Sequence, residues 1–115
     1  MSFKPSECAS MIPYALAICP EVMQAYKLRQ PVVLSYDRSP RRSKDAEVGT
    51  ISVGIITDEE YKPLHEVMGL FGGDCEQVLS DQLSSVPRDM LGMLKLYVDG
   101  LEDPELKKEL VASGN

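Results

Sequence analysis

Through most of this chain, apolar residues recur at every third or fourth position, which is the spacing of an amphipathic helix. Near the N-terminus the pattern predicts two helices, the first opening close to Pro5 and the second at Pro20. Past the middle of the chain it predicts four more, over about 62–71, 74–83, 87–99 and 104–111.

Helix-start signals accompany several of these segments. Thr57-Asp58-Glu59-Glu60 has the spacing of a capping box, in which a Thr and a Glu three residues later cap the helix start together. Asp74 and Asp103 each directly precede a predicted helix, at the position where an N-capping carboxylate is expected. The C-terminal half is therefore expected to be helical throughout.

A single β-hairpin interrupts the helices. In residues 32–37 and 48–56, apolar side chains alternate along the chain, as in strands that are buried on one face. The predicted fold class is α+β and mostly helical, with one two-stranded antiparallel β-hairpin packed on the N- and C-terminal helices. Residues 1–115 are expected to form a single domain.

The segment from Pro87 to Gly100 is the most apolar of the predicted helices. Its apolar positions spread over roughly 220° of a helical wheel, whereas a surface helix needs a stripe of only about 100°. The excess must be covered by neighbouring helices of the same chain or by a second molecule. On the second interpretation, the candidate partner or dimer interface consists of Met90, Met93, Leu94, Leu96 and Tyr97, with Leu96 on the exposed side.

Composition and charge narrow the classes of function. The apolar fraction of 43% and charged fraction of 26% are those of an ordinary globular protein. The net charge of −6 divides into about +2 for residues 1–57 and −8 for residues 58–115. An acidic half of this size repels the phosphate backbone, so nucleic-acid binding is not favoured.

The cysteines indicate a reducing compartment. The chain has three cysteines, which are Cys8, Cys19 and Cys75. Because their number is odd and their spacing is not that of a metal site, neither a disulfide framework nor a zinc site is expected. The apolar run from Met11 to Cys19 is too short to span a membrane. A cytoplasmic location and the absence of a metal or cofactor follow as expectations.

Catalytic groups are sparse. His65 is the sole histidine, and the nearest nucleophile by sequence is Cys75, at a predicted helix N-terminus where a thiolate is favoured. The flanking Asp74 and Glu76 oppose a further negative charge there. We therefore expect no enzyme active site.

One cluster of charge stands out in the hairpin connection, at about 37–47. Arg38, Arg41, Arg42 and Lys44 bring a third of the positive charge into seven residues. Such a loop either discourages edge-to-edge aggregation or binds an acidic partner.

The sequence favours a small acidic protein-interaction module that is not an enzyme. Such a protein acts as a regulator, anti-activator, inhibitor or adaptor by occupying a surface of a larger protein, and a homodimer is expected. One alternative is a small-molecule binder or enzyme with a pocket between hairpin and helices, lined by Tyr36, Tyr61 and His65. Another is nucleic-acid binding through the basic loop.

Overall fold

The structure is a computed structural model, and it describes residues 11–42, 46–72, 74–84 and 86–113. Its N-terminal half contains two helices followed by three long strands. These elements are α1 (Met11–Ile18), α2 (Pro20–Lys27), β1 (Val32–Arg42), β2 (Ala46–Thr57) and β3 (Glu60–Gly72). The C-terminal half contains three helices and two short strands. These are α3 (Cys75–Leu83), α4 (Arg88–Leu91), β4 (Leu94–Val98), β5 (Leu101–Glu102) and α5 (Pro104–Ser113).

The five strands form one mixed sheet in the order β3-β2-β1-β4-β5. Neighbouring strands are antiparallel except for β1 and β4, which are parallel. Strand β1 therefore lies at the centre, between β2 on one side and β4 on the other. This pairing connects the two halves of the chain directly.

The helices pack against one face of the sheet. On that face Leu34 of β1 pairs with Val53 of β2 and with Leu96 of β4, and all three belong to the buried core. Ser35 and Ser52 pair on the opposite face, outside this core. The core side chains of the helices and sheet include Met11, Ile12, Ala15, Val22, Val32, Tyr36, Ile51, Leu79, Met90 and Leu94.

The prediction of a mostly helical fold with one two-stranded hairpin is wrong. The two strands predicted at about 32–37 and 48–56 do pair antiparallel, with Val32 opposite Ile55 and Tyr36 opposite Ile51. They are two of five strands, and both extend into the connection that was predicted as a loop. The sheet is larger because two segments with apparent helical spacing are strands.

The first of these segments is β3, which was predicted as a helix over 62–71. The apparent capping box is instead the turn between β2 and β3, where Asp58 and Glu59 both have positive φ, 51° and 66°. That conformation is typical of a two-residue type I′ hairpin turn. Along β3, Val67 is buried and Met68 is exposed, as the alternation of a strand requires.

The second segment is the predicted helix over 87–100. Only Arg88–Leu91 is helical, and β4 follows at Leu94. Asp99 and Gly100, with φ of 52° and 84°, turn the chain into β5. Leu94 and Leu96 are covered because, as strand residues paired with β1, they face the helices.

Several local predictions are confirmed. Helix α3 begins after Asp74, whose Oδ1 accepts a hydrogen bond from the Gln77 N–H at 2.9 Å. Asp103 caps α5 in the same way through the Leu106 N–H, also at 2.9 Å. Pro20 occupies the first turn of α2. The first predicted helix is confirmed over Met11–Ile18, and its predicted start near Pro5 lies outside the described residues.

A β-bulge marks the middle of the β2–β3 hairpin. The register shifts between Val53 and Gly54, so that Val53 lies opposite His65 while Gly54 lies opposite Pro63. A proline is tolerated there because a bulge or an edge strand does not require its missing N–H. A Cβ added to Gly54 would lie 2.1 Å from the Lys62 carbonyl oxygen, closer than any relaxed contact.

The first prediction follows from this close approach. Gly54→Ala should lower the free energy of unfolding by about 3 kcal/mol, because the backbone of β3 must move to admit the methyl group. Urea unfolding followed by circular dichroism measures the change. Gly69→Ala is the matched control, since a Cβ at Gly69 has nothing within 4 Å and should change stability by less than about 0.5 kcal/mol. Equal effects of the two substitutions would contradict the bulge argument.

Candidate functional site

The candidate interface residues are mostly core residues of this chain. Met90, Leu94 and Leu96 are buried, and Leu96 is only 1% exposed. Met93 and Tyr97 are half-buried. The helix that was expected to present all five does not exist, so they do not form a common exposed stripe. The prediction that Leu96 is an exposed contact is wrong, because it lies on the helix-covered face of β4.

Most of the basic residues that were predicted to lie in the hairpin loop belong to strand β1. Arg38 lies within β1 and is paired with Asp99 of the β4–β5 turn. Its N–H and Nε donate to the two Asp99 carboxylate oxygens, each at 2.9 Å. Arg41 and Arg42 belong to β1, and Lys44 lies outside the described residues. Arg38 therefore ties two strands of the sheet together.

The three residues of the predicted pocket do not meet. Tyr36 is buried in the helix-covered core, whereas Tyr61 lies on the other face of the sheet, with its hydroxyl 2.6 Å from Ser52 Oγ. Burial raises the pKa of Tyr61 to about 12, so the phenol stays protonated at neutral pH. His65 is on β3, with its ring 5.1 Å from that of Tyr14. The sheet itself separates Tyr36 from Tyr61.

Cys75 and His65 occupy different environments. Cys75 is buried at the start of α3, and His65 lies on the outermost strand against α1. Cys19 is half-buried, and Cys8 lies outside the described residues. Within the described ranges, no group of three His, Cys, Asp or Glu side chains is arranged to hold a metal ion. None of the described helices is long and apolar enough to cross a membrane.

The outer edge of β3 is the most extensive candidate surface for binding. In the described part of the chain, β3 pairs with β2 on one side only and runs for 13 residues. In an antiparallel pair, alternate residues direct their N–H and C=O groups away from the partner strand. Such an edge is a template for another strand. The opposite edge of the sheet is the two-residue β5.

Apolar side chains flank this edge on both faces of the sheet. On the helix-covered face, Tyr14 of α1 contacts His65 of β3, and Ile18 lies one helical turn further on. Tyr14 is 44% exposed and Ile18 is 47% exposed. On the other face, Met68 pairs with Thr50 and is 72% exposed. A strand added to β3 would bury apolar surface above and below it.

The part of β3 after Pro63 is the better template for an added strand. Pro63 has no N–H to donate, and the bulge next to it bends the hairpin locally. Leu64 is the extra residue of the bulge, and residues 65–72 continue in regular register with β2. Glu66 is the single Asp, Glu, Lys or Arg residue in this part. This segment, residues 64–72, is called the β3 edge below.

Comparisons with protein-family models, with curated proteins and with solved structures find no match for this chain.

Sequence reasoning missed the β3 edge because it assigned β3 to a helix. Pro63 was the available signal, since it conflicts with a helix that begins at a Thr57 cap. For β4 and β5 the signal was Asp99-Gly100, because Asp-Gly between apolar runs is a strong hairpin indicator. A glycine after an apolar segment also resembles a helix C-terminus, and that interpretation prevailed.

The second prediction concerns Leu96. Leu96→Glu should abolish cooperative unfolding, since an unpaired carboxylate at this buried position costs several kcal/mol against a typical domain stability of about 5–15 kcal/mol. Thermal melting followed by circular dichroism shows the result. Lys95→Gln, at the adjacent half-buried position of β4, should retain a cooperative transition. A folded Leu96→Glu protein would mean that β4 is not covered by the helices.

The third prediction concerns Asp99. Hydrogen bonds from Arg38 hold the pKa of this carboxyl below its ordinary value. Its ionised form therefore stabilises the fold above about pH 4, and this contribution is lost as the pH falls through the lower folded pKa. Asp99→Asn should reduce stability at neutral pH by about 1 kcal/mol or less, because the side chain is 41% exposed. Urea unfolding should show this difference shrinking below pH 4; a difference independent of pH would contradict the pairing.

Proposed function

We propose that this chain is a protein-interaction module that binds a partner strand along the β3 edge. It acts without catalysis, as a regulator, inhibitor or adaptor of the protein it binds. The observation that carries this proposal is the long unpaired edge of β3 in the described chain, with exposed Tyr14 and Ile18 on one face and Met68 on the other.

Main-chain hydrogen bonds would supply affinity at such an edge, and the flanking side chains would supply selectivity. Along a strand the rise is about 3.3 Å per residue, so His65 and Met68 lie about 10 Å apart. An added strand of about five residues would cover both flanking patches. Because side chains of that strand alternate between faces, apolar residues three positions apart would contact Tyr14 on one face and Met68 on the other.

A second copy of the chain meets the same requirement. Two β3 edges can pair antiparallel across a two-fold axis, which would join two five-stranded sheets into one. The homodimer expected from the sequence remains part of the proposal, and the pairing of two β3 edges is its single support. A five-stranded sheet covered by helices does not itself need a second copy for stability. A cytoplasmic location also remains part of the proposal.

The fourth prediction tests the β3 edge. Met68→Lys places a charge beside the exposed strand, a device that blocks strand addition, and it should change folding stability by less than about 0.5 kcal/mol. Sedimentation at micromolar concentration should then show loss of any self-association. Affinity capture with the immobilised chain should show loss of partner proteins that the unsubstituted chain retains.

Leu101→Lys is the matched control, because Leu101 is 74% exposed and lies on β5 at the other edge of the sheet. Hydrogen exchange provides a direct readout, since amides within 64–72 should gain protection in the complex. If Met68→Lys and Leu101→Lys bind equally well, or if protection appears elsewhere, the β3 edge is not the binding surface.

A further inference from the structure

Helix α5 separates its charges onto two flanks. Glu105 and Glu109 line a cavity of about 360 Å³ on one flank, together with Asp103 and Glu76. Lys107 and Lys108 line a cavity on the other flank. In a chain with a net charge of −6, a cationic flank is a local exception to the overall charge.

The cationic flank borders an apolar groove. This cavity has a volume of about 400 Å³ and lies between α5 and the end of α4. None of its lining residues in the described part of the chain carries a carboxylate. The lining residues are Leu91, Gly92, Pro104, Lys107, Lys108, Val111 and Ala112.

A smaller cavity of about 70 Å³ extends the groove. It shares Leu91 and Val111 with the larger one and adds Arg88 as a third cation. Its remaining described walls come from α3, α5 and the connection to α4, and none of these residues carries a carboxylate. The two cavities thus form one surface, with an apolar floor and three cations around it, which is called the α5 groove below.

The cations of the α5 groove differ in their surroundings. Lys107 Nζ donates a hydrogen bond to the Leu94 carbonyl oxygen. Burial lowers the pKa of Lys107, so a carboxylate placed nearby would stabilise its charged form. Lys108 is exposed and lies 4.0 Å from Glu105, at the limit of an ion pair. Arg88 is exposed at the opposite wall. A bound carboxylate would therefore be met from more than one side.

We infer that the α5 groove is a second docking surface, and that its occupant is an acidic amphipathic segment of a partner protein. The apolar side chains of that segment would contact Leu91 and Val111, and its carboxylates would lie beside Arg88, Lys107 and Lys108. Charge complementarity selects this occupant, since a basic or purely apolar segment would bring no carboxylate to the three cations. The groove adjoins β4, so it lies away from the β3 edge.

Two synthetic peptides of about 16 residues test the occupant. Both carry Leu at i, i+3, i+4 and i+7 spacing; one has Glu at most other positions and its counterpart has Lys. In fluorescence anisotropy with the full chain, the Glu peptide should bind at least about tenfold more tightly than the Lys peptide. Its affinity should fall as salt is raised. In heteronuclear NMR, the Glu peptide should shift the amides of Leu91, Gly92, Lys108 and Ala112.

Charge-reversal variants locate the contact. The double variant Arg88→Glu, Lys108→Glu should weaken binding of the Glu peptide by about fivefold to tenfold. Lys27→Glu, Lys62→Glu is the matched control, because it makes the same change in net charge at exposed positions that line neither cavity of the groove. Ala112→Glu, at an exposed groove position, is a second variant that should weaken binding whether or not the double variant folds.

Three results would overturn the inference. The first is equal affinity for the two peptides, or no binding of the Glu peptide at about 1 mM. The second is an equal loss of affinity in the groove variants and in the Lys27→Glu, Lys62→Glu control. The third is a shift of the groove amides on dilution of the protein alone, which would make a second copy the occupant.

Discussion

The parallel pairing of β1 with β4 is the constraint on which the rest of the structure depends. It brings residues about sixty positions apart into register, with Val32 opposite Leu94 and Tyr36 opposite Val98. The Tyr36 carbonyl then accepts a hydrogen bond from the Asp99 N–H at 2.8 Å, and Asp99 binds Arg38 in turn. Once β1 is paired on both sides, the C-terminal half is fixed to the sheet. Helices α3 and α5 can then cover one face of it.

The same arrangement determines which surfaces are available for binding. Because β1 occupies the centre, the long β2–β3 hairpin must place β3 at the edge, and β5 ends the sheet on the other side. A two-residue strand exposes few main-chain groups, whereas a strand of 13 residues exposes many. Exposed Tyr14 and Met68 lie beside the longer edge. The strand order therefore explains why the proposed partner strand is assigned to β3.

Charge separation has a similarly local origin. The net negative charge of the C-terminal half is an average over that half. Helix α5 places its acidic and basic side chains on different flanks, because successive helical residues point in different directions. Its core-facing residues, Leu106 and Leu110, set the rotation of the helix. Glu105 and Glu109 then fall on one side, and Lys107 with Lys108 on the other. A net charge alone would have predicted a uniformly acidic surface here.

The sequence by itself determined the features that depend on a few adjacent residues. Asp74 and Asp103 cap helices where the spacing predicted, and Pro20 lies in the first turn of α2, because a cap or a proline acts within one turn. The β1–β2 pairing was also readable, since Val32, Leu34 and their neighbours alternate clearly.

Only the tertiary structure decided β3, β4 and the candidate site. In 60–72 and 94–98, apolar residues satisfy helical and strand spacing at once, and short apolar runs cannot be separated by periodicity. The choice was made by partners distant in sequence: β2 supplies the hydrogen bonds of β3, and β1 supplies those of β4. Leu96 is buried for the same reason. Pairing with β1 places it on the helix-covered face of the sheet, and no local pattern encodes that pairing. The β3 edge exists only once the strand order is set, so its residues carry no binding signal in the sequence alone.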